Sequence, residues 1–194
     1  MLPTEIHPLP PFLPGNAKLL MLGSFPPPKA KWKMDFYYPN FQNDMWRIFG
    51  LVFFNEKDYF LTEDKTSFDK ARIVEFLSLK GIALSDTALE VHRLKGNASD
   101  NFLKIITPLN LESILSKIPD CKAMVTTGEK ATETLRSLFP ETTPVPKIGS
   151  CVAVDLLNKK YKFYRMPSSS RAYPKPLPEK AEIYRRFFAE INLL

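Results

Sequence analysis

Four consecutive apolar residues, Leu19-Leu20-Met21-Leu22, break abruptly into Gly23-Ser24-Phe25-Pro26-Pro27-Pro28. A run this short and this uniformly apolar reads as a strand buried on both faces, which demands a covering layer on each side of its sheet. Glycine ends the strand, and the prolines stiffen the chain that leaves it. Lys29, Lys31 and Lys33 follow at alternate positions, and then Tyr37-Tyr38-Pro39-Asn40-Phe41-Gln42-Asn43-Asp44-Met45-Trp46. Cations and clustered aromatics beyond a buried strand end point to a ligand that is anionic and flat.

The rest of the chain continues the alternation. Lys18–Leu22, Gly81–Leu84 and Ala123–Val125 read as strands, while Val152–Leu157 and Tyr161–Met166 flank Asn158-Lys159, a hairpin or tight return. Helical patterns lie between them. These are Asn43–Phe53 with Trp46 and Phe49 inward, Phe68–Leu79 capped by Asp69 or Ser67, Leu111–Ile118, and Glu129–Phe139. An amphipathic Glu179–Asn192, entered through the Pro174–Pro178 turn, closes the chain. The pattern predicts an α/β fold: a three-layer α/β/α sandwich on a central, mostly parallel four-stranded sheet. Residues 1–16, rich in proline, read as an extended segment over a single domain of residues 17–194. Ligands of such sheets bind at the carboxyl ends of the strands. That rule nominates the loops after Leu22, Leu84, Val125 and Met166, the last being Pro167-Ser168-Ser169-Ser170-Arg171-Ala172-Tyr173.

Composition narrows the function classes. No apolar run approaches the roughly 18 residues of a membrane span, and prolines interrupt the N-terminus where a signal peptide keeps an apolar core. Two cysteines, Cys121 and Cys151, are too few for a disulfide scaffold or an iron–sulfur cluster, so a cytoplasmic setting is expected. His7 and His92 stand alone, without metal or triad spacing, and read as structural; no metal or cofactor is expected. The net charge is +6, and residues 147–194 hold the whole excess, with 10 Lys/Arg against 4 Asp/Glu. Such a basic quarter is either a footprint for a polyanion or a solvated face without a partner.

Two of the nominated loops resemble the signature loops of the uracil-DNA glycosylase superfamily. One is the strand followed by Gly-x-x-Pro, here Gly23-Ser24-Phe25-Pro26; the other is the strand followed by Pro167-Ser168-Ser169-Ser170. Between them, Tyr37-Tyr38-x-x-x-x-Asn43-x-x-Trp46 resembles the Tyr-Tyr…Asn-x-Phe-Trp segment of the mismatch-specific and hypoxanthine-DNA glycosylase branches. Gly81–Asp86 resembles the family's second strand with its polar terminal residue. The chain departs from many members in two places: Phe25 stands where a catalytic Asp or Asn is usual, and Met166 where the second motif has histidine. The hypoxanthine-DNA glycosylase branch shares both departures, and its catalytic asparagine is attributed to the Tyr-Tyr…Asn segment.

The resemblance therefore implies a monofunctional DNA glycosylase acting on a deaminated base, uracil or hypoxanthine, in lesion-containing double-stranded DNA. It implies Asn43 as the catalytic residue, and Gly23, Ser24, Phe25, Tyr38 and Asp86 around the base. Lys29, Lys31, Pro167, Ser168, Ser169, Ser170 and Arg171 would then contact the DNA. A monomer is expected. Each residue has a plainer role beside this one. Asn43 fits the N-cap of its helix, Asp86 fits a cap for Thr87–His92, Ser168–Ser170 fit an ordinary polar loop, and most of the aromatics fit the core. Two other functions stay open. A non-catalytic nucleic-acid-binding domain with the same fold accommodates Phe25 but leaves Asn43 idle. An unrelated α/β enzyme for nucleotides or phosphorylated metabolites explains the strand ends but not the Pro-Ser loop.

Overall fold

A computed structural model describes residues 3–95 and 99–194. In chain order the elements are β1 (Thr4–Ile6), β2 (Leu19–Gly23), α1 (Met45–Phe54), α2 (Lys70–Lys80), β3 (Ile82–Asp86), β4 (Ala88–Arg93) and β5 (Leu103–Pro108). They continue with α3 (Leu111–Leu115), β6 (Ala123–Thr127), α4 (Glu129–Arg136), β7 (Ser150–Leu156), β8 (Lys159–Met166) and α5 (Leu177–Glu190).

The main sheet has the order β3-β2-β6-β8-β7. The first four strands are parallel, and β7 runs antiparallel along β8 from Ser150↔Arg165 to Leu156↔Lys159. The sheet thus has five strands where the sequence reading counts four. The hairpin tip supplies the reason: Leu157 and Asn158 both take positive φ, at 53° and 58°, the backbone of a tight two-residue return. That return sends β8 back along β7, which joins the sheet as its antiparallel edge strand.

Alternation within the buried strands sorts the two layers. Leu19, Met21, Ile82, Leu84, Val125 and Tyr164 pack with α1, α2 and α5. Leu20, Leu22, Ala83, Met124 and Phe163 face the other way, toward α3 and α4. Asp69 caps α2 by accepting the Arg72 N–H at 3.0 Å. Gly81 ends α2 in the left-handed region, and a Cβ there would sit 2.5 Å from the Asn16 carbonyl oxygen.

A second sheet, β1-β4-β5, is antiparallel. It recruits the N-terminal segment through Thr4↔His92 to Ile6↔Glu90, and Phe12 forms a bridge with Leu84 further on. The segment that reads as merely extended is therefore paired at Thr4–His7 and again at Phe12. The stretch for which Asp86 reads as a cap is strand rather than helix, β4 running Ala88–Arg93.

Both sheets serve one edge of the molecule. In register, Gly23 lies beside Asp86 and Thr127 beside Met166, so four parallel strands finish at the same level. The loops leaving them converge there.

Candidate functional site

Those loops enclose a cleft of about 640 Å³. Its first wall is the Gly23–Pro27 segment. A Cβ on Gly23 would lie 2.3 Å from Asp86 Oδ1, so only glycine lets the carboxylate approach the strand end. The proline loop beyond is braced from outside. Trp32 Nε1 donates to the Pro27 carbonyl at 2.8 Å, and Arg93 Nη2 donates to that of Pro26 at 3.0 Å while pairing with Glu5 on β1. Phe25 borders the cleft but is 7% exposed, its ring packed among Ala88, Val91 and Leu103. Most of its face is core.

The second wall comes from residues 37–43. Tyr38 holds a positive φ of 52°, an unusual backbone for an aromatic residue. Its hydroxyl shares a 2.9 Å hydrogen bond with Thr127 Oγ1 across the strand ends. Asn43 lines the cleft just before α1. Its Oδ1 accepts the Met45 N–H at 2.9 Å, which satisfies one of the unpaired donors of the helix start. That bond also fixes which way the amide points. The Nδ2 group has no hydrogen-bond partner among the described residues.

The third wall is Asp86 at the end of β3. Its Oδ2 meets His7 Nε2 at 2.9 Å, with the side chains 6% and 9% exposed for His7 and Asp86. The His7 ring stands edge-on to Phe25 and stacks on Tyr37. Burial opposes protonation of His7, but the hydrogen bond and charge of Asp86 and the Leu9 carbonyl outweigh it, and its pKa is raised. Burial and the Asp86 charge push the Tyr37 and Tyr38 phenols well above their usual range. Asp100 completes this side. Burial raises its pKa, countered by a hydrogen bond from Ser24, and the Asp86 charge raises it further.

The fourth wall is the Ser168–Tyr173 loop, which is folded on itself and tied to the second wall. Ser168 Oγ accepts the Ser170 N–H, and Ser170 Oγ accepts the Ala172 N–H, both at 3.2 Å. Ser169 is buried, and its carbonyl accepts the Asp44 N–H at 2.9 Å. Asn43 and Ser170 form an antiparallel bridge. Beneath them Asp44, 5% exposed, gathers Arg171 at 2.9 Å, Lys180 at 3.7 Å and Arg47 at 3.9 Å.

The cleft thus brings together Gly23, Ser24, Phe25, Tyr38, Asn43, Asp86, Lys31 and Ser168–Arg171. Lys29 and Pro167 stand outside it. Lys29 pairs with Asp35 and lies over the Trp32 ring, and the Pro167 carbonyl accepts the Tyr184 hydroxyl at 3.0 Å. Asp44 and Asp100 belong to the site or its support without any sign in the sequence, and His7, which reads there as an isolated structural residue, pairs with Asp86 of the cleft. A short alternating Thr4–Ile6 before the prolines was the one local sign that His7 sits in a paired segment.

The basic quarter is largely matched within the molecule. Arg185 donates to the Leu51 and Val52 carbonyls, Lys159 to that of Pro119, and Arg165, Lys175 and Arg186 pair with Glu129, Glu179 and Glu182. At the cleft itself Lys31, Lys130 and Arg171 face Asp86, Asp100 and Glu129. Among the described residues no His, Cys, Asp and Glu cluster suited to a metal is present, and no helix is long and apolar enough to cross a membrane.

No family model and no curated protein matches the chain. Among solved structures it is similar to the solution NMR structure of a Methanosarcina acetivorans protein provisionally named a uracil DNA glycosylase. The TM-score is 0.62 at 21% identity, over 94% of this chain and 96% of that one. The two chains share a fold.

Proposed function

We propose that the protein is a DNA glycosylase, hydrolysing the N-glycosidic bond of a flipped deaminated base, uracil or hypoxanthine, to leave an abasic site. The observation that carries this reading is the convergence, on one cleft, of two polar groups without a hydrogen-bond partner among the described residues: Asn43 Nδ2 and Asp86 Oδ1. A carboxylate oxygen and an amide are what a flipped base, with its N–H and carbonyl edge, would engage. The shared fold with a provisionally named uracil DNA glycosylase points the same way.

Cleavage of the base–sugar bond develops positive charge on the sugar and negative charge on the departing base. Positioned dipoles supply most of the help such a reaction needs. Asn43 Oδ1 keeps a second lone pair beyond the one held by Met45, available to a water proton or the nascent cation. Its Nδ2 donates toward the base. Asp86 Oδ1 accepts from a ring N–H, and Tyr38 borders the base. Lys31, Ser168, Ser170 and Arg171 meet the phosphates of double-stranded DNA, with one copy of the chain per lesion.

End-labelled duplexes carrying single uracil, hypoxanthine, xanthine or mismatched thymine test this, with alkali converting abasic sites to breaks. Breaks are expected on a deaminated base and are expected to vanish in Asn43→Ala and Asn43→Ser. Serine retains an oxygen for the Met45 N–H, so its loss of activity separates chemistry from capping. One observation favours a second reading, a nucleic-acid-binding domain without chemistry: Phe25 fills the slot usual for a catalytic side chain and turns into the core. Salt-sensitive duplex binding without breaks on any lesion would select it. Failure to bind DNA at low salt would remove both.

A further inference from the structure

His7 lies 79 residues from Asp86 in the chain, yet its ring is buried against that carboxylate, which lines the cleft. Nε2 faces Asp86 Oδ2 at 2.9 Å, and Nδ1 faces the Leu9 carbonyl oxygen at 2.8 Å. Only the doubly protonated ring donates to both. The Leu9 N–H, 3.2 Å from Nδ1, offers the neutral ring an alternative partner. Asp86 Oδ1 has no hydrogen-bond partner among the described residues and lies over Gly23, where a side chain would displace it. One oxygen is occupied from the N-terminal segment, and the other faces the cleft.

We propose that His7 is a positioning residue for Asp86, occupying Oδ2, presenting Oδ1 alone to a ring N–H of the bound base, and offsetting the carboxylate charge beside a departing base. The proposal rests on reading the cleft as a base pocket. A bare carboxylate there would repel a base leaving as an anion; a carboxylate paired with an imidazolium reads the N–H without that cost. The N-terminal strand is then part of the recognition device, because β1 pairing and the Leu9 carbonyl set the ring. Other titratable and charged groups surround the pair. Tyr37 and Tyr38 come from the second wall, Asp100 from the turn before β5, and Arg93 from β4, paired with Glu5 on β1. The phenols, pushed well above their usual range, stay neutral across the range in which histidine titrates.

The test uses the full chain with His7→Gln and His7→Ala, over about pH 5.5 to 8.5, the range in which histidine titrates. Binding of free uracil, hypoxanthine, cytosine and adenine is followed by NMR titration, and base release from lesion duplexes by single-turnover rates. The wild type is expected to favour uracil and hypoxanthine, with binding and release weakening as His7 loses its proton. His7→Ala is expected to weaken both by about ten- to hundredfold, the scale of a hydrogen bond to a charged group. His7→Gln retains a neutral donor, so it is expected to keep part of the affinity and to lose the pH dependence. A His7→Gln profile that follows the wild type, with unchanged base preference, overturns the proposal, as does a folded wild type that binds none of the bases. Base binding that depends on His7 without base release on any duplex supports the positioning role and removes the glycosylase reading instead.

Discussion

Asp44 and Arg171, 127 residues apart in the chain, meet at 2.9 Å beneath the cleft. This contact and the Asn43–Ser170 bridge above it join the start of α1 to the loop after β8. The candidate catalytic asparagine and the serine loop thereby become one structural unit. Lys180, 1% exposed, and Arg47 complete the charge around Asp44.

Removing the carboxylate leaves Lys180 and Arg47 buried without their counter-ion, held only by backbone carbonyls, and breaking a buried pair typically costs about 3–5 kcal/mol. Asp44→Ala is expected to fall near that range in urea denaturation, with Asp44→Asn losing less because it retains an acceptor. Arg171→Ala is expected to cost under about 1 kcal/mol, since its side chain is 44% exposed. Equal losses for Asp44→Ala and Arg171→Ala would contradict the cluster as described.

Gly23→Ala isolates the geometry of the proposed base pocket. The new methyl would stand 2.3 Å from Asp86 Oδ1, so the carboxylate must move. Overpacking of this sort costs about 1–3 kcal/mol, a change visible in thermal melts. Base release is expected to drop by at least about tenfold in a protein that still folds, as a small misplacement of a reacting partner costs heavily. Unchanged release would show that Oδ1 is not used.

Much of this was legible in the residues, and the remainder was not for identifiable reasons. Leu19–Leu22 announces a doubly covered strand because it shows no polar alternation, and Asp69 announces a helix start through its local chemistry. The β1-β4-β5 sheet is harder to see. Its strands are half exposed and carry Glu90, Arg93 and Lys104, and each depends on a distant partner. The His7–Asp86 pair leaves no local trace, because neither residue's neighbours hint at the other. The basic quarter suggested a polyanion footprint, yet backbone carbonyls such as those of Leu51 and Val52 accept Arg185. A charge count carries no information about such carbonyl acceptors.

That internal matching sets the expected salt dependence of DNA binding. Among the described residues Lys31, Lys130 and Arg171 are the cations bordering the cleft. Each phosphate neutralised contributes about −0.9 to the slope of log affinity against log salt, so a slope near about −3 is expected. Lys31→Ala should reduce its magnitude by about 1. Lys160→Ala should leave it unchanged, because Lys160 lies at the start of β8, the end of the strand away from the cleft. A slope that falls equally for both variants would move the interface off the cleft.

Asp100 and His7 should leave separate marks on stability against pH. Both pKa values are raised in the folded protein, so the native state holds more protons than the unfolded chain, and stability falls as pH rises through each window. For Asp100 the fall begins near its ordinary 3.8, where the unfolded carboxyl ionises freely while burial holds the native one protonated. Asp100→Asn removes that penalty and is expected to melt higher than wild type at neutral pH, with weaker base release if the carboxyl serves the pocket. For His7 the stabilising pair with Asp86 is fully present below about 6.5 and is lost as pH climbs through the raised value. His7→Gln is therefore expected to melt below wild type in mild acid, the gap closing as pH rises. Calorimetry of the wild type and both variants across acid to mildly alkaline pH checks the two windows. A His7→Gln gap that widens with rising pH would reverse the sign and contradict an imidazolium at this site.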